Sequence, residues 1–138
     1  MRRVVVTGLG MVSPLGATVK DTWQALLKGK SGIGVNTLFD VSDYPCKIAG
    51  LVKTGAQEGD LCLHDFIDNK EQRKMDRFIQ YGIIAADEAI KDAGWHPKDE
   101  ESQNRTGVMI GAGIGGLPRI QETVLALKEG GVRKVSPF

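Results

Sequence analysis

Two stretches of this chain carry residue types whose spacing suits binding or chemistry. The first reads Arg105-Thr106-Gly107-Val108-Met109-Ile110-Gly111-Ala112-Gly113-Ile114-Gly115-Gly116. Gly111, Gly113 and Gly116 stand at the G-x-G-x-x-G spacing of a dinucleotide fingerprint. That fingerprint also wants an acidic residue about 20 positions further on, to bind the ribose. The zone Gly131, Val132, Arg133, Lys134, Val135 holds no carboxylate, so a nicotinamide cofactor is poorly supported. Two readings stay open beside it: a turn that needs glycine for tight packing, and a surface that lets some other substrate approach the backbone closely.

The second stretch is basic. Lys70, Arg73, Lys74 and Arg77 follow one another at steps of three, one and three, one stripe at the amino end of a predicted helix. A helix start carries partial positive charge, so cations there cost about a few tenths of a kcal/mol. Either the stripe is a solvated face screened by Glu71 and Asp76, or it receives an anion. In the second case cations and backbone N–H groups together would hold phosphate or an acidic surface. Arg133 and Lys134 form a further basic pair after the final helix. No aromatics interleave with these cations to stack on bases, so nucleic acid is not expected.

No catalytic constellation emerges. Cys46 follows Pro45 and Cys62 lies between two leucines. Neither opens a helix, where a thiolate would be stabilised. Cys62 and His64 make a C-x-H pair with no second pair at zinc spacing, so no metal is expected. His64 and His96 have no partner that the sequence identifies, and neither G-x-S-x-G nor H-E-x-x-H occurs.

The elements that must position these stretches read as α/β. Val4-Val5-Val6 suits a buried central strand, and Val108-Met109-Ile110 a second one. The exit from the first, residues 7–16, is a near miss to the dinucleotide pattern with Ser13 in place of the third glycine. If both strands are parallel, the two glycine-rich exits share one edge of a sheet. Residues 18–28 read as a helix with Thr18 as N-cap, Asp21 in a capping-box position and Gly29 as terminator. Its apolar face would be Val19, Trp23, Leu26 and Leu27. Residues 31–69 look irregular apart from an edge strand at 47–52.

Residues 70–93 give the strongest helical periodicity, capped by Asn69 with Gln72 and stopped by Gly94. Gly82, Ala85, Ala86 and Ala89 suggest close packing on another element. Leu117, Ile120, Val124 and Leu127 predict a final helix.

The 138 residues suffice for one domain with a core. The formal net charge of +1 names no partner, so recognition has to come from local clusters. No apolar run approaches the length that spans a bilayer. No presequence is visible, so the chain reads as cytosolic, or as a mature organellar protein without its leader. It closes at Ser136-Pro137-Phe138, where an α/β unit would return to another strand, and so reads as the front part of something longer.

Four blocks in order carry a resemblance that covers essentially the whole chain. Residues 3–16, Arg3-Val4-Val5-Val6-Thr7-Gly8-Leu9-Gly10-Met11-Val12-Ser13-Pro14-Leu15-Gly16, resemble the opening of the beta-ketoacyl-[acyl-carrier-protein] synthases of the elongating type II class. Lys70-Glu71-Gln72-Arg73-Lys74-Met75-Asp76, Gly113-Ile114-Gly115-Gly116 and Arg133-Lys134-Val135-Ser136-Pro137-Phe138 are similar to three further blocks of that family.

The resemblance implies a thiolase-like layered αβαβα fold. Residues 1–138 would be a partial amino-terminal domain, with a mixed sheet and packed helices. It also implies a homodimer at full length. The reaction would join an acyl group to malonyl-[acyl-carrier-protein] with loss of carbon dioxide, without a cofactor. The family's nucleophilic cysteine and two histidines would lie beyond Phe138, so no catalytic residue is assigned and this span alone is expected to be inactive. Cations matching Lys70, Arg73, Lys74, Arg133 and Lys134 would dock the acidic acyl carrier protein. Ile114, beside Gly113, matches a residue lining the acyl pocket near the dimer interface. Alternatives are a polyketide ketosynthase or a silent chain-length partner, a nicotinamide-binding domain, and a non-catalytic interaction domain. No membrane association is expected.

Overall fold

A computed structural model of the chain describes residues 3–57 and 59–136. Pro137 and Phe138, the end of the fourth block, lie outside the described residues. The chain divides into two compact units, Met1–Phe66 with Ile83–His96 and Ile67–Gly82 with Pro97–Phe138.

In the first unit, helix α1 spans Val19–Leu27. Its start is the expected one: the Thr18 side chain accepts from the Asp21 amide, which satisfies one donor that the helix cannot. Gly29 ends it at a φ of +63°, a conformation that favours glycine. The expected buried face is corrected. Trp23, Leu26 and Leu27 are more than half exposed, and the buried residues are Thr22 and Ala25.

Strands β1 (Ile33–Val35) and β2 (Ile48–Gly50) pair antiparallel, Ile33 opposite Gly50 and Val35 opposite Ile48. The expected strand at 47–52 is therefore present. Its partner was hidden in the stretch read as irregular.

The two apolar runs depart from expectation. Val4, Val5 and Val6 are 98, 71 and 78% exposed, and Val108, Met109 and Ile110 are 86, 99 and 69% exposed. Neither run is a strand. A strand exists only where a neighbour takes its N–H and C=O groups. Among the described residues neither run has one.

Helix α3, Arg77–Ala93, supplies the surface on which the first exit lies. A Cβ on Gly8 would stand 2.3 Å from the Ala89 carbonyl oxygen and 2.8 Å from Ala93 Cβ. One on Gly10 would stand 1.8 Å from the Ala85 oxygen. These glycines let an extended chain lie directly on a helix. The amides between them are also taken: Leu9 donates to Asp92 Oδ2 at 2.9 Å and Met11 to Glu88 Oε2 at 2.9 Å. Glu88 Oε1 also accepts from Val19, the first residue of α1, at 3.0 Å.

Ser13, in the place of a third fingerprint glycine, closes a tight turn with Gly16 and shares a 2.7 Å hydrogen bond with Thr22 Oγ1. The close packing expected of the small residues on this helix is found at Ala85 and Ala89. Gly82 has open space around its Cβ position. Gly94 ends the helix at a φ of +60°.

In the second unit the single helix expected over 70–93 is broken. Helix α2 is one turn, Asn69–Gln72, residues 73–76 form a turn, and α3 starts at Arg77. Asp68, not Asn69, stands at the N-cap, and the Gln72 amide donates to the Ile67 carbonyl instead of completing a capping box. Helix α4, Glu100–Asn104, is capped by Asp99, and α5 runs over Leu117–Gly130. The expected stripe on α5, with Leu117, Ile120, Val124 and Leu127, is about half exposed. A 3-10 turn at Val132–Lys134 follows.

Candidate functional site

The second unit holds both stretches singled out in the sequence. The 73–76 break is fastened from within. Gln80 is buried, and its Nε2 donates to the carbonyls of Gln72 at 3.0 Å and Met75 at 3.1 Å. Asp76 Oδ1 accepts from the Arg77 amide at 2.7 Å. Asp76 Oδ2 accepts from the amide of Arg119, in the first turn of α5, at 3.3 Å. Gly116, the N-cap of α5, has no side chain to offer that turn, so a carboxylate 43 positions from Arg119 does the capping.

Arg119 completes the connection. Its Nη2 donates to the Arg73 carbonyl at 2.8 Å and its Nη1 to Glu122 Oε2 at 3.0 Å.

This geometry decides between the earlier readings of the glycine turn. A Cβ on Gly116 would stand 2.0 Å from Asp76 Oδ2, so this glycine is required for tight packing. Gly115 has a φ of +81°. Around Gly111 and Gly113 there is open space, and Ile114 is 74% exposed. The place where a helix start would receive a pyrophosphate is already taken by the Asp76 carboxylate, which disfavours the dinucleotide reading.

The basic stripe is also revised. Lys70 lies in the one-turn α2, and Arg73 and Lys74 lie in the break, so these three do not sit at the start of a long helix. The cost first attached to them there largely disappears, because a single turn carries little macrodipole. Lys74 is ion-paired with Glu71 at 2.5 Å, whereas Lys70 and Arg73 are exposed and make no ion pair among the described residues. Glu71 thus screens one cation. Asp76, expected to screen the stripe, serves backbone amides instead.

Arg133 and Lys134 are exposed on the 3-10 turn, where the Lys134 stem lies over Gly130. The second unit thus presents exposed cations at Lys70 on α2, at Arg73 on the braced break and at Arg133 and Lys134 on the 3-10 turn, together with a glycine loop bearing the uncovered Ile114. Exposed cations can meet an acidic surface, and an uncovered apolar side chain an apolar one.

Cys46 is exposed and Cys62 half-buried, both as free thiols. Among the described residues no three His, Cys, Asp or Glu side chains gather as metal ligands, and no helix is long and apolar enough to cross a membrane. Sequence reading missed Arg119 and the capping role of Asp76. Their only trace was Gly116 at a helix start without a capping side chain.

The family model for the beta-ketoacyl synthase N-terminal domain matches residues 1–138. The chain belongs to this family. This synthase domain is 48% identical over 139 residues to 3-oxoacyl-[acyl-carrier-protein] synthase 2 of Rhizobium meliloti (strain 1021), covering 100% of the chain and 33% of that protein. It is 50% identical over 137 residues to the protein of the same name from Vibrio harveyi, covering 99% of the chain and 31% of that protein. The synthase domain thus spans about a third of the length of the curated relatives it matches.

Two solved structures are similar at 27% identity over 99% of the chain. One is the ishigamide ketosynthase/chain length factor, with a TM-score of 0.73 over 32% of that chain. The other is a type II polyketide ketosynthase bound to the hexaketide, in complex with its acyl-carrier protein. Its TM-score is 0.65 over 33% of that chain. The fold is the α/β thiolase-like one of these ketosynthases, present as an amino-terminal part.

Proposed function

We propose that this chain is the amino-terminal part of a fatty-acid elongating condensing enzyme. The whole protein joins an acyl group to malonyl-[acyl-carrier-protein], loses carbon dioxide and leaves the beta-ketoacyl product on the carrier. It works as a homodimer and needs no cofactor. This span supplies recognition, not bond making: the family's cysteine and two histidines have no counterpart among its residues. Lys70, Arg73, Lys74, Arg133 and Lys134 dock the acidic carrier protein. Ile114, on the open loop at Gly113, lines the acyl pocket. The observation that carries this reading is that Lys70 on α2 and Arg73 on the following turn, which Gln80 and Asp76 fix, are exposed and make no ion pair among the described residues. Cations held in place without internal partners suit an acidic protein surface.

A polyketide ketosynthase or a silent chain-length partner is the second reading, favoured by the two similar ketosynthase structures. The higher identity to 3-oxoacyl-[acyl-carrier-protein] synthase 2, 48–50% against 27%, supports the fatty-acid assignment. The test is charge reversal of Arg73 and Lys74 in the full-length protein. The expected result is a higher KM for carrier-bound substrate, mimicked in the wild type by added salt, because exposed charges are screened. Unchanged kinetics under both perturbations would remove the docking assignment. The span alone is expected to give no condensation product.

A further inference from the structure

The carrier-docking turn rests on one arginine that neither the basic stripe nor the glycine pattern includes. Arg119 is in the first turn of α5, with 35% of its side chain exposed. Its guanidinium reaches out of its own helix to the Arg73 carbonyl at 2.8 Å, while its other terminal nitrogen is held by Glu122 at 3.0 Å. Its amide is held by Asp76 Oδ2. Arg73 and Asp76 bracket the break between α2 and α3, so Arg119 grips the turn by its backbone at one end and is gripped by it at the other. A planar fork with several donors can make both side-chain bonds at once, which a lysine ammonium on a flexible stem cannot do in the same geometry.

We propose that Arg119 is a positioning residue for carrier docking. It holds the Arg73 carbonyl, and with it the backbone from which the Arg73 and Lys74 side chains project, in the arrangement that the acidic partner meets. This rests on the docking reading above. A preorganised turn spares the partner the cost of ordering it, so loss of the brace weakens binding more than turnover.

The experiment uses the full-length protein and compares Arg119→Ala, Arg119→Lys and the Arg73→Glu/Lys74→Glu double variant. Dissociation constants are measured for the holo carrier protein, and kcat and KM for its malonyl form. Arg119→Ala is expected to raise Kd and KM about fivefold at a near-constant kcat, as for loss of one charge-assisted hydrogen bond at a surface. Arg119→Lys keeps the charge and loses the fork, and is expected to retain at least half of that defect. Full rescue by lysine would mean that charge alone matters and would overturn the positioning role. So would an Arg119→Ala variant with wild-type Kd alongside a double variant that binds poorly. If the double variant also binds like wild type, the docking reading itself fails, and the inference with it.

Discussion

Asp76 and Gly116 occupy one another's space: the Asp76 carboxylate caps α5 only because residue 116 has no Cβ. An added Cβ would lie 2.0 Å from Oδ2, so the carboxylate would have to leave. Gly116→Ala and Asp76→Ala should each cost about 1–2 kcal/mol, the worth of a helix cap. Once Asp76 is alanine, Gly116→Ala has little left to displace. The two penalties should therefore fall short of adding in a double-mutant cycle by urea unfolding. Additive penalties would show that the two residues act independently.

Gly10 makes a harder demand, because its neighbour is backbone. A Cβ there would meet the Ala85 oxygen at 1.8 Å and the Ala89 nitrogen at 2.7 Å. No rotamer relieves that contact, so Gly10→Ala should destabilise by about 2–3 kcal/mol. Gly34→Ala, in β1 with open space at its Cβ position, is the control and should stay within about 0.5 kcal/mol of wild type. Equal urea midpoints for the two variants would contradict the close approach to α3.

Glu88 joins that contact to α1 by accepting from both the Met11 and Val19 amides. Glu88→Ala leaves two donors without their acceptor and should cost about 1–3 kcal/mol. Faster hydrogen exchange at the Met11 and Val19 amides, with little change in the second unit, is the expected signature.

Local features of this fold were legible in the sequence, and distant ones were not. Thr18, Gly29 and Gly94 mark helix ends through their own backbone chemistry, so the pattern around each sufficed. The break at 73–76 was invisible because Met75 and Phe78 continue a helical spacing. What stops the helix is the Gln80 amide on two carbonyls and a carboxylate that serves α5. Strand β1 is three residues long with Gly32 and Gly34 in its path, too short to show alternation. Val4-Val5-Val6 and Val108-Met109-Ile110 have strand composition, but composition cannot supply the pairing partner that a strand needs. In the candidate site the cations and the glycine-rich loop were visible in the sequence as residue types. The Arg119 brace was not, because it joins residues 46 positions apart.

The short helix α4 should depend on pH through its cap. The Ser102 amide donates to Asp99 Oδ1 at 2.8 Å and lowers the Asp99 pKa below its ordinary 3.8. A carboxyl with a depressed folded-state pKa stabilises fully above its unfolded value and loses that contribution as pH falls through the lower folded one. Helical chemical shifts over Glu100–Asn104 should therefore hold from neutral pH to about pH 4 and fade below it. Asp99→Ala should show the frayed shifts at every pH. A pH-independent segment in the wild type would exclude the cap as its support.

Ile114 offers a test of the acyl-pocket assignment that is separate from docking. The side chain is 74% exposed on a loop whose neighbours Gly113 and Gly115 leave open space. Enlarging it should therefore be tolerated by the fold and felt by the ligand. Ile114→Trp in the full-length protein should lower kcat/KM for the longest acyl substrates about tenfold while sparing short ones, because added bulk in an apolar pocket discriminates by length. Carrier binding, which we propose rests on Lys70, Arg73 and Lys74, should not change. A uniform loss over all chain lengths would instead place Ile114 in packing or subunit contact, and would move the acyl pocket away from this loop.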